Sequence, residues 1–368
     1  MSLLTLDVAK CVHTSNKFAV CNECVEACPV ETIKITQSVV SFTPADCVGC
    51  GGCGSVCPTA AYSLDDFKPL NYVFAFLEHD KEVLTCKEDL PCIAALSVEE
   101  LLSMALIAEK QLSADIGGCG DCPIGVKNLP IIEDRIEEVN FLLEAMQQQK
   151  EIKLQEVEFK SQEQEGETLS RRELLSKEGL KKAVHIKQQF ENEVAAGDAI
   201  EKVHTVTGAD IAKIKQKNIP DRRSLLLMAM KRAKVPEVFH TIDIEDVSFI
   251  SQKDLDEVTC TNCQMCYRIC PTGALSSDAK GSVINFNPLA CVQCHSCHDV
   301  CEPDSLTLRP TFALANFFDP KIETLVRFTI KRCDECGNYF SYQGGEVLCS
   351  RCKIEEEEAK ALWGINRN

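Results

Sequence analysis

The sequence predicts an α+β protein that contains two copies of one cysteine-rich module, a small α/β unit, a helical region and a C-terminal ribbon. The 368-residue chain has 24 cysteines, which fall into four blocks. These blocks cover residues 11–57, 86–122, 260–301 and 333–352. Between Pro123 and Thr259 there is no cysteine, and charged sequence with helical periodicity takes over. We therefore expect domains at residues 1–68, 69–130, 131–235, 236–320 and 321–368.

The two eight-cysteine blocks repeat one unit. A constant offset of 244 residues relates Phe42, Pro44, Cys47, Cys50, Cys53 and Cys57 to Phe286, Pro288, Cys291, Cys294, Cys297 and Cys301. Upstream, an offset of 242 residues relates Cys21, Cys24 and Cys28 to Cys263, Cys266 and Cys270. Offsets this regular predict one module built twice.

Each repeat carries cysteines at short, regular spacing. The second repeat contains Cys260-x2-Cys263-x2-Cys266-x3-Cys270-Pro271 and then Cys291-x2-Cys294-x2-Cys297-x3-Cys301. These runs resemble those of bacterial two-cluster ferredoxins, and the resemblance covers about residues 3–66 and 240–310. It implies two ferredoxin-like 2[4Fe–4S] modules with a βαββαβ pseudo-twofold fold. It also implies one-electron transfer at low potential, without chemical change of a substrate inside the module.

The same resemblance implies four [4Fe–4S] clusters and their ligands. In such ferredoxins three closely spaced thiolates hold one cubane, and the fourth cysteine of the run reaches the other cubane. Three sets follow the pattern without change: Cys260, Cys263, Cys266 and Cys301; Cys291, Cys294, Cys297 and Cys270; and Cys47, Cys50, Cys53 and Cys28.

The fourth set departs from the family pattern, because Phe18 stands where the repeat has Cys260. The nearest upstream thiol is Cys11, which lengthens the first gap to nine residues. Cys11 could complete a [4Fe–4S] site with Cys21, Cys24 and Cys57. Alternatively, Cys11 is a bystander and the site holds a three-iron cluster. We favour the complete site, because Cys11 follows an apolar stretch as Cys260 follows Val258.

A second block holds Cys86, Cys92, Cys119 and Cys122. We predict a strand over Asn71–Leu77 and a helix that Ser97 and Glu100 cap, running to about Glu109. Such a unit loosely resembles the small iron–sulfur subunits and thioredoxin-like [2Fe–2S] units of hydrogenase-linked complexes. A fifth iron–sulfur cluster is the first expectation for these cysteines, a zinc ion the second and free thiols the third.

The region without cysteines predicts helices. Apolar residues from Ile131 to Met146 recur at helical spacing, and residues 147–167 predict a solvated helix or a linker. Further helices are expected from Ser170 to about Phe190 and from Arg222 to Lys234. We interpret them as scaffold and spacer. The alternative is a docking surface built on Arg222, Arg223, Lys231, Arg232 and Lys234.

The last block contains two CxxC pairs, which are typical of a zinc ribbon. One structural zinc ion is expected on Cys333, Cys336, Cys349 and Cys352, with rubredoxin-like iron as the alternative. The stretch from Tyr339 to Gly345 predicts a β-hairpin. We expect His295 and His298 to face solvent in a loop. Trp363 is expected to pack or to contact a partner.

Charge and composition narrow the function further. The net charge of −17 disfavours general binding of nucleic acid. The N-terminus lacks the pattern of a signal peptide, and no stretch is long and apolar enough to span a bilayer, so we expect a cytoplasmic protein with reduced thiols. No G-x-G-x-x-G fingerprint or catalytic constellation is evident, so we expect no catalytic site within this chain.

Two functions remain. The preferred one is an electron-transfer protein or subunit that serves a cytoplasmic formate dehydrogenase, hydrogenase or other oxidoreductase, within a multi-subunit assembly of redox partners. The alternative is an iron–sulfur carrier or redox-sensing regulator that binds a protein partner through the ribbon.

Overall fold

The computed structural model describes residues 4–157, 202–203, 207–342 and 344–363. Helices and strands are mixed throughout these residues, so the protein has an α+β fold. The helix predicted from Ser170 to Phe190 lies outside the described residues.

The N-terminal module follows the order strand, helix, strand, strand, helix, strand. Its outer strands, Leu4–Leu6 and Tyr62–Leu64, pair antiparallel, and its inner strands, Ile33–Thr36 and Val39–Phe42, form a hairpin. A short strand, Lys202–Val203, extends the hairpin. The helices are Val12–Ser15, Glu23–Glu26 and Gly52–Val56. The alternation of apolar residues along these short strands places Leu4, Ile33, Phe42 and Leu64 in the core.

The C-terminal module repeats that order. Lys253–Leu255 pairs with Leu306–Leu308, and Leu275–Ser276 pairs with Val283–Phe286, which also pairs with Glu323–Arg327. Its helices are Met265–Ile269 and Ser296–Asp299. Beside the module, Thr241–Asp243 pairs with Thr311–Ala313, which precedes the short helix Ala315–Phe318.

The middle unit is a three-stranded parallel sheet with helices packed on it. Its strands are Val83–Leu84, Leu112–Asp115 and Ile152–Gln155, with Leu112–Asp115 in the centre. The helix Val98–Ile107 begins with the predicted Ser97–Glu100 capping box, which is confirmed. The helix Gly125–Ala145 confirms the periodicity of residues 131–146 but begins six residues earlier, so the predicted boundary after residue 130 falls inside it.

Two predictions for the middle unit are wrong. Residues predicted as the strand Asn71–Leu77 belong to the helix Pro69–Glu78, which Pro69 begins and whose Val73 and Phe76 are buried at helical spacing. Part of the predicted linker is the strand Ile152–Gln155, because the buried side chain of Ile152 and a parallel neighbour complete the sheet. A short apolar run does not distinguish helix from strand.

The helix Asp221–Met230 is central to the structure rather than a spacer. It packs against Val98–Ile107 through Leu225, Leu226 and Ala229, all fully buried. It ends at Met230, four residues before the predicted end. The alternative prediction of a docking surface on five basic residues is wrong for two of them, because Arg222 and Arg223 are buried. The other three, Lys231, Arg232 and Lys234, are exposed. The helix Gly208–Ile214 precedes it and has no buried residues.

The C-terminal ribbon is a hairpin followed by a helix. Its strands are Ile330–Arg332 and Tyr339–Ser341, so the hairpin encloses the first CxxC pair and lies earlier than predicted. The helix Ser350–Leu362 follows the second pair. Trp363 is 80% exposed, so the predicted packing role is wrong and a partner contact stays a prediction.

The buried apolar residues form separate cores. The largest includes the N-terminal module, the middle unit and the helix Asp221–Met230. The C-terminal module has its own core around Leu275, Ile284, Phe286 and Leu306. Across the described ranges, no helix combines the length and the apolar character needed to cross a membrane.

Candidate functional site

Cys11, Cys21, Cys24 and Cys57 lie together in the N-terminal module. They line one small cavity, with Cys11 just before the helix Val12–Ser15 and Cys57 at the end of Gly52–Val56. Burial, and then the charge of Cys57, raises the pKa of the Cys11 thiol to about 11 and that of Cys21 to about 12. The structure therefore brings Cys11 to the three thiols with which it was predicted to act.

Phe18 takes no part in this group. Its ring is 58% exposed and lies under the ammonium group of Lys17, with 4.7 Å from Nζ to the ring centroid. The residues between Cys11 and Cys21 instead form an extra helical turn, Val12–Ser15. The break in the repeat is thus an insertion that displaces the first cysteine upstream.

Cys28, Cys47, Cys50 and Cys53 form the second group of this module. Burial, followed by the charges of Cys50, Cys47, Cys24 and Cys28, raises the pKa of the Cys53 thiol. Cys24 belongs to the first group, and its charge contributes to the raised pKa of Cys53 in the second. The two groups are therefore neighbours within the module.

The C-terminal module contains two further groups. Burial raises the pKa of the Cys266 thiol to about 12, and the charges of Cys297, Cys263 and Cys260 contribute to the increase. Burial also raises the pKa of Cys260, and the charge of Cys301 contributes there. The other group lines a cavity shared by Cys270, Cys291, Cys294 and Cys297. These are the four combinations implied by the family resemblance, and all four are now seen as spatial groups.

Backbone amides surround the sulfurs. Many of these donors come two residues after the thiol: His13 for Cys11, Glu23 for Cys21, Gly49 for Cys47, Gly52 for Cys50, Ala94 for Cys92, Asn262 for Cys260 and Ser296 for Cys294. The Ala61 amide donates to Cys57 Sγ over 3.3 Å. Such donors stabilise the thiolate form, which is the form that binds metal.

Polar side chains also reach the sulfurs. The Tyr62 hydroxyl donates to Cys24 Sγ over 3.6 Å, and Ser251 Oγ lies 3.1 Å from Cys291 Sγ. Lys253, almost fully buried, lines the cavity of the Cys291 group. Sequence reasoning missed these three residues, because they lie outside the cysteine runs and follow no spacing rule.

The two histidines do not face solvent as predicted. Both are half-buried, and His298 lies in the helix Ser296–Asp299. Its Nε2 is 2.7 Å from Lys253 Nζ, and its Nδ1 is 3.0 Å from the Leu306 carbonyl oxygen. Burial, and then Lys253, lowers the pKa of His298 to about 4, so the ring is neutral near pH 7.

Cys86, Cys92, Cys119 and Cys122 also converge. Burial, and then Cys86, Cys92 and Cys122, raises the pKa of Cys119 to about 11. The helix Gly125–Ala145 begins against this group, and a Cβ at Gly125 would lie only 1.8 Å from the Cys119 carbonyl oxygen. Glycine is therefore needed at this approach.

Asn128 connects this group with the N-terminal module. It is buried, its Nδ2 donates to Cys92 Sγ over 3.5 Å, and it also bonds to Cys50. Burial raises the pKa of Cys92, and the charge of Cys50 contributes to that increase. The four-cysteine group and the Cys28 group are therefore adjacent, which the sequence did not indicate.

The last cysteine group has tighter geometry. The sulfurs of Cys333, Cys336, Cys349 and Cys352 all lie within 4.8 Å of one another, and those of Cys336 and Cys349 are 3.7 Å apart. Four sulfurs bound tetrahedrally at about 2.3 Å from one zinc ion lie about 3.8 Å apart. Backbone amides of Cys336 and Cys349 lower the pKa of Cys333 to about 6. This set fits a single ion.

The residues present fit iron–sulfur clusters in the ferredoxin modules. Each group offers four soft sulfur donors with amide donors nearby, and the donors are too buried and too mutually repulsive to ionise alone. A bound cationic centre would relieve that repulsion and release the thiol protons.

Comparison with known proteins agrees with this geometry. Family models described as a 4Fe-4S dicluster domain match residues 18–61 and 253–302. An uncharacterized ferredoxin of Methanocaldococcus jannaschii is 41% identical over 63 residues, which are 17% of this chain and 94% of that protein. A ferredoxin of Methanothermococcus thermolithotrophicus is 39% identical over 64 residues, 17% of this chain and 98% of that one.

A shorter match involves a protein named ferredoxin 7Fe from Hydrogenibacillus schlegelii. It is 41% identical over 46 residues, 12% of this chain and 59% of that protein. The first family match begins at residue 18 and therefore leaves Cys11 outside it.

Proposed function

Because this chain belongs to the bacterial-type ferredoxin family, with its 4Fe-4S dicluster domain present twice, we propose that it carries single electrons through four [4Fe–4S] clusters between redox proteins. The convergence of sixteen thiols into four groups of four carries this proposal. The groups are Cys11, Cys21, Cys24 and Cys57; Cys28, Cys47, Cys50 and Cys53; Cys260, Cys263, Cys266 and Cys301; and Cys270, Cys291, Cys294 and Cys297.

The chain's own residues bind and tune these centres. When bound, a [4Fe–4S] cluster supplies a reversible one-electron couple whose potential depends on its surroundings. Amides at the second position after several of the thiols place positive dipoles against the sulfurs, and Tyr62 and Ser251 add hydroxyl donors. Such donors favour the more negative, reduced state. Buried Lys253 does the same for the Cys291 group.

At the first group, the proposal is a complete four-iron site. The alternative is a three-iron cluster, a possibility raised by the relative named ferredoxin 7Fe. The position of Cys11 in the same cavity as Cys21, Cys24 and Cys57 supports the four-iron site.

The group of Cys86, Cys92, Cys119 and Cys122 is proposed as a fifth iron–sulfur site, with zinc as the second choice and free thiols as the third. Its contact with the Cys28 group through Asn128 supports a redox role, because a structural ion needs no neighbouring cluster. Cys86 is exposed, so this group would be one end of the path. Cys263 is exposed at the opposite module.

The ribbon is proposed to bind one zinc ion on Cys333, Cys336, Cys349 and Cys352, because their sulfurs are close enough for one tetrahedral ion. Closed ligation by four cysteines is typical of structural zinc. The ion would hold the hairpin Ile330–Ser341 to the helix Ser350–Leu362.

We further propose that the partners are a cytoplasmic oxidoreductase, such as a formate dehydrogenase or hydrogenase, and a second acceptor. The cytoplasm suits so many reduced thiols. The competing function, an iron–sulfur carrier or regulator that docks through the ribbon, does not explain why the cysteine groups are adjacent.

Metal analysis of anaerobically purified protein tests the proposal. We expect about sixteen or more irons per chain, about one zinc and several reduced-cluster signals in the electron paramagnetic resonance (EPR) spectrum. Fewer than about twelve irons in fully loaded protein would contradict it, since at most three cubanes would remain. Iron that leaves readily for an apo-acceptor would favour the carrier instead.

A further inference from the structure

The insertion between Cys11 and Cys21 lies against the C-terminal module. Asn16 is buried, and its Nδ2 donates to the Ser296 carbonyl oxygen over 3.4 Å. The Val20 amide donates to the Asp299 carboxylate. Ser296 and Asp299 bound the helix that carries Cys297. The segment that breaks the repeat in one module therefore contacts a ligand-bearing helix of the other.

Arg222 holds the N-terminal side of the same region. Its guanidinium donates to the carbonyl oxygens of Ser55 at 2.9 Å and Cys57 at 2.6 Å, with longer bonds to Gly54 and Pro58. Cys57 belongs to the first cysteine group. A planar fork with five donors suits such a cluster of carbonyl oxygens.

Arg223 holds the C-terminal side. Its Nη1 donates to the carbonyl oxygens of Leu289 and Cys291, each at 2.7 Å, and its Nη2 donates to the Phe249 carbonyl oxygen. Both arginines also pair with the buried carboxylate of Glu99, with Arg222 Nε 2.7 Å from Glu99 Oε2. Two adjacent residues of one helix thus bind the backbone of a cysteine in each module.

We infer that the loop between Cys11 and Cys21 and the Arg222–Arg223–Glu99 triad form a junction that fixes the Cys11 group beside the Cys270 group. This inference rests on the proposed function. The junction makes the two modules one electron path instead of two independent ferredoxins. Each transfer across it oxidises one side by one electron and reduces the other, with no bond made or broken.

Buried charge supports this role for the triad. An ion pair or triad taken out of water contributes little net stability compared with apolar packing, and in some proteins such a group instead specifies one arrangement. Here the arrangement joins two modules, and the two cations lie beside carbonyl groups of Cys57 and Cys291. Arg222 and Arg223 are positioning residues, and they also favour the reduced state of the adjacent sites.

Two single substitutions in the full-length, iron-loaded chain test the proximity. Cys294→Ala removes a ligand from the group at the junction, and Cys263→Ala removes one from the far group of the same module. We expect Cys294→Ala to change the spin relaxation of the reduced N-terminal clusters in EPR power saturation, because their magnetic neighbour is converted or lost. Cys263→Ala should leave that relaxation unchanged. Equal effects would overturn the inference.

A double substitution tests the triad. Arg222→Met with Arg223→Met should keep the iron content, lower the potentials of the junction sites and weaken the relaxation effect. It should also speed hydrogen exchange of amides 12–20 and 289–298 by about tenfold or more. Arg232→Met, at an exposed position just past the helix end, is the matched control. Unchanged relaxation and exchange in the double variant would contradict the assignment to the triad.

These outcomes separate the inference from the proposed function. Full iron loading with equal relaxation in the two cysteine variants would refute the junction and leave electron transfer standing. Iron below about twelve per unaltered chain would refute the proposed clusters themselves. If the double arginine variant fails to fold, the comparison of Cys294→Ala with Cys263→Ala still tests whether the two cysteine groups are adjacent.

Discussion

The N-terminal ferredoxin module is embedded in the largest core, whereas the C-terminal module packs around a core of its own. The same order of strands and helices therefore serves two different surroundings. At the position after Cys50, the N-terminal module has Gly51, and a Cβ there would meet Ala95 Cβ of the middle unit at 2.7 Å. The counterpart in the other module is His295, which adopts the same left-handed backbone with a full side chain.

The two modules also differ in the loop between their first two cysteines, and this difference shows how one copy of a repeat can gain a contact that the other lacks. The first gap between cysteines is two residues in the C-terminal module and nine in the other, and the extra residues make the contact with Ser296. The duplicated copy that kept the short gap also has the exposed Cys263. The N-terminal copy thus contacts the other module through its altered gap, whereas the C-terminal copy exposes one of its thiols.

The largest expected effect concerns the altered gap itself. Cys11→Ala and Cys260→Ala should each remove the fourth ligand of one cluster, which leaves three irons or none at that site. Iron analysis and the EPR spectrum of the oxidised protein measure this loss. Adding Phe18→Cys to Cys11→Ala should not restore the iron, because residue 18 points to solvent. Restoration would mean that the repeat register, not the observed loop, places the ligand.

The next effect concerns the two cores. Phe42→Ala and Phe286→Ala alter equivalent, fully buried side chains, and each should cost about 3–5 kcal/mol. We expect Phe42→Ala to accelerate hydrogen exchange in the helix Val98–Ile107, which shares its core. Phe286→Ala should accelerate exchange within residues 253–328 only, which include the paired strand Glu323–Arg327. Equal acceleration of the helix in both variants would show that the cores are not separate.

The smallest effect concerns the contact between the helix Gly125–Ala145 and the segment that leads into the C-terminal module. Glu138 accepts a bond from the Ser248 amide at 2.8 Å, and burial raises the pKa of Glu138 to about 7. The folded state thus favours the neutral acid, so its stabilising effect is complete below about pH 4.5 and is lost as pH rises through 7.

Glu138→Gln mimics the neutral acid and should therefore be more stable than the unaltered chain above pH 7, by about 1 kcal/mol. The advantage should vanish towards pH 4.5. Urea unfolding at several pH values measures it, with Glu137→Gln at the exposed neighbouring position as the control. A pH-independent difference between the Glu138→Gln variant and the unaltered chain would rule out this titration.

The sequence by itself determined the family, and its cysteine spacing predicted most of the cysteine groups. Spacings such as Cys260-x2-Cys263 act over a few residues, and a tight loop with amides directed at sulfur follows from them. The capping box at Ser97 and the periodicity of Ile132, Ile136 and Val139 are equally local, so those helices were predictable.

Only the tertiary structure decided what those groups form together. Asn128 contacts Cys92 across 36 residues of sequence, and Arg222 contacts Gly54 across 168. Lys253 lines a cysteine cavity although no spacing rule relates it to those cysteines. Basic residues on a helix predict exposure in general, and here burial against Glu99 and backbone carbonyls reversed that expectation. Local spacing specifies a ligand set, whereas the adjacency of two sets depends on how distant segments pack.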